Sequence, residues 1–280
     1  MATLVQMLQT TLESRDPLLP NETKRILLKE ALQAFVLEFL YNHRVYQKLN
    51  FYGGTCLHVV YNLNRLSEDI DLDNQAAINL DQLADELIRY IHATWDYREA
   101  TLKEQASRQG IRRLTLHFPV LQHLGLSPVA SEALNLKLEI SHHRQVAITR
   151  NTPVLFYGRS FVSKHFTLET LMAGKILACL ERSFQVGSTA SKIKGRDWYD
   201  LLWFMQKQVD PLEEKLLQDG KQPYTIRTAF EALAGRAALI QPRDLALDLL
   251  PLFEQRAFIE NWIAAFQSNF QEYARYYHAS

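Results

Sequence analysis

Asp69 and Asp71 stand two residues apart, with Ile70 between them and Leu72 after them. On a strand this spacing puts both carboxylates on one face and the apolar side chains on the other. Adjacent carboxylates repel, and a bound divalent cation removes that repulsion. An oxygen-only pair suits Mg²⁺, or Mn²⁺, shared with substrate phosphates. Shortly upstream runs Phe51-Tyr52-Gly53-Gly54-Thr55-Cys56-Leu57. Residues 47–52 read as a strand and 55–61 as a helix, so the two glycines fall at a strand-to-helix turn. Such a turn directs backbone N–H groups and the positive end of a helix dipole at an anion such as phosphate. A glycine pair alone is mostly a tight turn, and Asp-x-Asp alone is mostly a solvated strand end. Their union in one short segment points to phosphate and metal chemistry.

A third carboxylate comes from Asn135-Leu136-Lys137-Leu138-Glu139-Ile140-Ser141. Its strict alternation sends the Leu and Ile side chains to one face and leaves Lys137 and Glu139 on the other. Glu139 joins the site if its strand lies beside that of Asp69 and Asp71. Further along, Leu168, Leu171, Met172, Ile176 and Cys179 form the buried stripe of a helix, and Lys175 lies within that stripe. Its ammonium either snorkels to solvent or enters a phosphate-filled cleft. Asp197 and Asp200 share one side of the next helix. Asp200 reads as structural, paired with Arg196 or another neighbouring base. Lys192, Lys194 and Arg196 with Arg108, Arg112 and Arg113 are either solvated charges or the basic surface an RNA substrate would need. Adjacent residues of His142-His143-Arg144 face opposite ways, as at a solvated strand end.

These residues need a scaffold. After a short helical N-terminus, Pro17 and Pro20 break the chain, and Asn21 is expected to cap a helix carrying Ile26, Leu27, Leu32, Phe35, Val36, Phe39 and Leu40 at the helical period. Asn79 is expected to cap a helix marked by Leu80, Leu83, Leu87 and Ile91. Between about residues 97 and 148 the period falls to two, with 111–118 and 134–140 the clearest strands. From Thr167 the pattern is helical, over 167–180, 196–206, 225–234 and 254–276, with a long loop over 183–195. The expected architecture is α+β: a mixed-sheet domain over residues 1–165, then a helical C-terminal domain over 166–280 that closes one wall of the cleft.

Composition bounds the partners. The chain has 280 residues, 47% hydrophobic and 22% charged, which is ordinary globular usage. Lys+Arg 31 balances Asp+Glu 31, so no global field draws it to nucleic acid or an anionic membrane. The opening residues lack the pattern of a signal peptide, and no apolar run approaches the ~20 residues of a membrane span. Cys56 and Cys179 match no zinc or redox spacing and read as buried free thiols. The expected location is cytoplasmic, with no membrane partner.

Gly53-Gly54-Thr55-x-Leu57, Arg65-x-Ser67-Glu68-Asp69-Ile70-Asp71, the Lys137/Glu139 strand, Lys175 and Arg196-Asp197-x-Tyr199-Asp200-Leu201 occur in that order. Together they resemble the AbiEii-type nucleotidyltransferases of type IV toxin–antitoxin systems, within the polymerase-β-like superfamily. The resemblance runs from Lys24 to Phe204. It implies that Asp69, Asp71 and Glu139 hold the metal, with Glu139 alternatively the base for the acceptor hydroxyl. Gly53, Gly54, Thr55 and Ser67 would bind the triphosphate, with Lys175 near the nucleotide and Asp197 in the same catalytic site. At one position the chain departs from the pattern: the family commonly has a basic residue, often arginine, where His58 stands. The implied activity transfers a nucleoside monophosphate from an NTP to an acceptor such as a tRNA 3′ end. Such an enzyme would act as a toxin or in phage defence, with a cognate antitoxin as partner. Two other readings stay open, a phosphotransferase and a catalytically idle nucleotide-binding protein.

Overall fold

The computed structural model describes residues 3–106, 110–142, 145–182 and 193–278. The chain divides into two compact units, Met1–Arg144 with Thr149–His165, and Gln145–Ile148 with Phe166–Ser280.

The first unit is built on a seven-stranded mixed sheet. In chain order its elements are α1 (Leu4–Glu13), α2 (Asn21–Asn42), β1 (Asn50–Tyr52), α3 (Gly53–Tyr61), β2 (Ile70–Asp73), α4 (Leu83–Trp95), β3 (Thr101–Ala106), β4 (Ile111–Phe118), β5 (Leu134–Ser141), β6 (Thr149–Phe156) and β7 (Arg159–Phe166). The strand order is β3-β4-β5-β2-β1-β7-β6. β2 runs parallel to β5 and antiparallel to β1, and β4 is antiparallel to both β3 and β5. The period-two pattern of β5 works as expected: Leu134, Leu136, Leu138 and Ile140 are buried, while Asn135 and Lys137 are exposed. α2 packs on β5 and α4, with Phe35 edge-on to Trp95 at 4.0 Å between ring centres. Most of α2 is buried around its whole circumference, Glu30 and Gln33 included. That makes it the central helix of the unit.

Three local expectations shift. Pro20, not Asn21, occupies the N-cap of α2, and no side chain caps that end. Asn79 accepts a hydrogen bond from the Asp81 N–H at 2.7 Å, so its side chain closes a local turn and the helix starts later, at Leu83. Residues 46–48 wind into a short 3₁₀ turn, which leaves β1 only three residues. β3 lies inside the period-two stretch without standing out in it, while β6 and β7 fall beyond that stretch. β6 and β7 meet at Tyr157 and Gly158, both at positive φ (46° and 71°), the backbone of a tight hairpin turn.

The second unit contains α5 (Leu168–Glu181), α6 (Gly195–Gln206), α7 (Glu213–Asp219), α8 (Ile226–Ala237), α9 (Pro242–Leu249) and α10 (Arg256–His278). α5 packs on α6, α7 and α8, and α10 on α6, α8 and α9. Trp198 lies edge-on to Phe266 and Phe270 in the core. The short α7 and α9 were not legible in the sequence. Most of the expected 183–195 loop lies outside the described residues. Cys56 and Cys179 are free and buried, as expected. Among the described residues no helix is long and apolar enough to cross a membrane.

Candidate active site

β5 pairs directly with β2, and the register sets Asp71 opposite Glu139. In the neighbouring pairs Tyr52 of β1 stands opposite Asp71, and Arg113 of β4 stands opposite Glu139. Directly paired residues share a sheet face, so Tyr52, Asp71, Glu139 and Arg113 form one row across four strands. Tyr52 senses the row: burial, and then the charge of Asp71 with smaller contributions from Asp73 and Glu139, pushes its phenol well above the usual range. Arg113 grips one Glu139 oxygen through two nitrogens, at 2.7 and 2.6 Å.

The glycine turn abuts this row. Gly53 has φ +79°, and a side chain there would collide with the Asp71 carboxylate. Glycine is therefore required twice, by the backbone and by the close approach of the acid. At Gly54 an added Cβ would lie 2.5 Å from a terminal nitrogen of Arg65, whose side chain is only 2% exposed. The glycines are the first two residues of α3, and no side chain caps that end. The first-turn N–H groups thus have no capping oxygen of their own, which is what an anion-binding helix end requires.

The segment between α3 and β2 is tied down from two sides. Thr55 Oγ1 lies 2.8 Å from Ser67 Oγ and also donates to the Asp69 carbonyl. The Ser67 N–H donates to Glu30 Oε1 at 3.1 Å, and its carbonyl accepts from Gln33 Nε2 at 2.9 Å. Lys29 pairs with Glu68 at 2.7 Å. Thr55 and Ser67, expected at the phosphate, are thus engaged with each other inside the protein. Asp73, the third acid of the alternating run, is fully buried and accepts from Ser141 Oγ, Asn50 Nδ2 and the Gln75 N–H at 3.1, 3.1 and 3.2 Å. Its role is to hold strands together.

Asp69, Asp71 and Glu139 offer only carboxylate oxygens, the donor set a hard divalent cation prefers. Among the described residues, however, no group of three or more His, Cys, Asp or Glu side chains is drawn together closely enough to hold an ion. Like charges do not gather uncompensated, and Glu139 takes Arg113 as its counter-charge instead.

Lys175 and Asp197 come together within the helical unit, joined by Asp200 and Arg182. The Lys175 ammonium lies 2.7 Å from a carboxylate oxygen of each aspartate, and Arg182 reaches Asp197 at 3.0 Å. Burial by itself would raise the Asp197 pKa, but the charges of Lys175 and Arg182 outweigh it and hold the carboxyl well below the usual range. The Lys175 side chain is ion-paired and 13% exposed. Asp200 pairs with Lys175 rather than with Arg196, which pairs with Asp248 at 3.5 Å. Arg112 meets Glu104 at 2.5 Å, so the described members of the basic group include ion-paired arginines. Arg108, Lys192, His143 and Arg144 lie outside the described residues.

Sequence reading missed Glu30 and Gln33, quoted Arg65 in the motif without a role, and placed Arg113 on a basic surface rather than beside Glu139. A signal existed for the first two, polar residues one turn apart inside an otherwise apolar helix. Nothing local marked Arg113, whose partner lies 26 residues away.

No curated protein matches the chain. A solved structure described as "putative nucleotidyltransferase from H. pylori" superposes with a TM-score of 0.50 at 18% identity, covering 89% of this chain and 92% of the other, which shows a shared fold. The family model described as "Nucleotidyl transferase AbiEii toxin, Type IV TA system" matches residues 37–278, nearly the whole chain. With a glycine turn set against the acidic row of a mixed sheet and helices completing the chain, this protein belongs to the AbiEii nucleotidyltransferase family, the toxins of type IV toxin–antitoxin systems.

Proposed function

We propose that this nucleotidyltransferase moves a nucleoside monophosphate from an NTP to an acceptor hydroxyl, with a tRNA 3′ end as the acceptor, and that Asp69, Asp71 and Glu139 hold the Mg²⁺ or Mn²⁺ it requires. The observation that supports this reading is the register of Asp71 with Glu139 beside an uncapped helix N-terminus whose first residue is shaped around the Asp71 carboxylate. The α3 amides receive the triphosphate, and the buried Arg65 guanidinium beside Gly54 adds a fixed positive charge at that turn. A bound divalent cation supplies neutralisation of the charge that builds on the reacting phosphate and the departing pyrophosphate. The acceptor oxygen attacks the α-phosphorus, the bond from that phosphorus to the bridging oxygen breaks, and pyrophosphate leaves. In this reading the hydroxyl proton goes to Glu139 where that carboxylate serves as the base, the alternative to its role as third metal ligand. Lys175 and Asp197 enter this reading as the ion-paired scaffold of the helical unit. Family membership brings an antitoxin as partner, and transfer to tRNA in the cytoplasm would stop translation, the act of a toxin or a phage-defence protein.

Incubation with total RNA and each of the four NTPs, labelled at the α- or γ-phosphate, tests the proposal. Label is expected to enter tRNA from one or more α-labelled NTPs, to depend on Mg²⁺ or Mn²⁺, and to vanish with chelator. Transfer from the γ position instead would make the protein a phosphotransferase, and no transfer from any NTP would overturn the reading.

A further inference from the structure

Glu30 and Gln33 of α2 hold the two ends of one peptide residue, the N–H and the carbonyl of Ser67. Glu30 Oε1 has a second neighbour, His58 Nε2 of α3, at 3.2 Å, and His58 Nδ1 lies 2.7 Å from the Leu63 carbonyl. A carbonyl only accepts, so Nδ1 carries a proton. An ionised carboxylate also only accepts, so Nε2 carries one too. Opposite an ionised Glu30 the ring is then an imidazolium, and the contact is an ion pair between a partly buried ring and a buried carboxylate, 22% and 3% exposed.

The surroundings agree. Burial, the largest influence, favours the neutral ring. The hydrogen bond and charge of Glu30 together with the Leu63 carbonyl outweigh it, and the net effect raises the His58 pKa above 6.5. The groups facing the ring are Glu30 from α2, the Leu63 carbonyl and the opposing charge of Arg65 from the segment after α3, and the edge-on Phe156 ring of β6 at 6.0 Å.

We propose that the His58–Glu30 pair is the strut that positions Ser67, and through Thr55 the Gly53–Gly54 turn and Asp69, and that a histidine in this place makes the strut release on the alkaline side. The functional half rests on the nucleotidyl-transfer reading above. Deprotonation leaves one ring N–H for two acceptors, the Glu30 carboxylate and the Leu63 carbonyl, and removes the positive charge that faces Glu30. The ion pair is lost, Glu30 is held less firmly, and its grip on the Ser67 N–H loosens. Because the folded-state pKa is raised, the stabilisation is fully present below 6.5 and is lost as pH rises through the folded value. An arginine at this position would keep its charge throughout.

The full-length protein tests this with two readouts that need no activity. In ring ¹H–¹⁵N NMR, His58 is expected to titrate above 6.5 and to fall by at least about one pH unit in Glu30→Gln. Amide exchange, corrected for its intrinsic pH dependence, is expected to show Ser67 losing about tenfold protection as His58 deprotonates, and at every pH in Glu30→Gln, with β5 unchanged. In the α-label assay, wild-type kcat is expected to fall about tenfold over the same limb with little change in KM, while His58→Arg keeps its rate and His58→Gln is slow throughout. Titration of His58 at or below 6.5 would overturn the proposal, and so would flat Ser67 protection. A shared alkaline limb in wild type and His58→Arg would overturn the functional half. Should His58→Arg fail to fold, Glu30→Gln decides by exchange alone. If no NTP gives transfer, the nucleotidyl-transfer reading fails, and the NMR and exchange results still decide the strut.

Discussion

Two acidic clusters in this chain look alike on paper and differ in what surrounds them. In the helical unit Asp197 and Asp200 have side chains 4% and 0% exposed and face Lys175 and Arg182. On the sheet Glu139 and its partner Arg113 are 28% and 40% exposed, and the neighbouring Asp71 abuts a glycine turn. Two named cations answer two carboxylates in the buried cluster, which fits a structural task. The partly open row lies beside a helix end that no side chain caps, which fits a site that receives an anionic ligand. The lesson is that an acidic pair becomes a candidate site through its access and its backbone neighbours, not through its residue types.

The comparison breaks most decisively at Lys175. Lys175→Ala leaves buried carboxylates short of their main counter-charge and should cost about 3–5 kcal/mol, read by urea unfolding. A loss below about 1 kcal/mol, joined to weaker nucleotide binding, would move Lys175 back to the nucleotide. The same cluster should show an acid limb. The Asp197 pKa is depressed on folding, so its contribution is present above the ordinary value of 3.8 and is lost as pH falls below it. Thermal unfolding of Asp197→Asn should therefore be less stable near neutrality and flatter in acid than wild type.

On the sheet the expected losses are of activity. Asp71→Asn keeps the shape and removes the charge, so transfer should fall more than about 100-fold while circular dichroism and Tm stay near wild type. An active Asp71→Asn protein would end the metal assignment. Gly53→Ala should lose about 1–2 kcal/mol from the left-handed backbone alone, and transfer besides, because the new methyl displaces the Asp71 carboxylate. The smallest effect is expected at Arg113. Its pair with Glu139 is half-exposed, so Arg113→Ala should change stability by less than about 1 kcal/mol and tighten Mn²⁺ binding measured by calorimetry. Weaker Mn²⁺ binding would show that Arg113 supports the site rather than competing for Glu139.

The parts of the fold that were legible were those with strong periodicity. β4 and β5 stood out because a sheet buried on one face forces alternation, and α5, α6, α8 and α10 because a buried stripe recurs every turn. The β6–β7 hairpin was missed because its strands leave little apolar alternation in the sequence: β6 has one buried residue, Val154, and two of the buried positions of β7 are the polar Ser163 and His165. Asn79 misled because an Asn side chain serves a turn as readily as a cap.

The glycine turn, Asp71 of β2 with Asp69 just ahead of that strand, and the glutamate of β5 were readable from the chain alone, because backbone freedom and side-chain alternation are local properties. Pairing was not. The register that sets Asp71 against Glu139, the arginine that holds Glu139, and the α2 residues that clasp Ser67 all join segments 26 to 68 residues apart. Long-range partners are chosen by which surfaces the packed sheet and helices bring together. A buried charge then takes whichever counter-charge the fold delivers, and no local pattern records that choice.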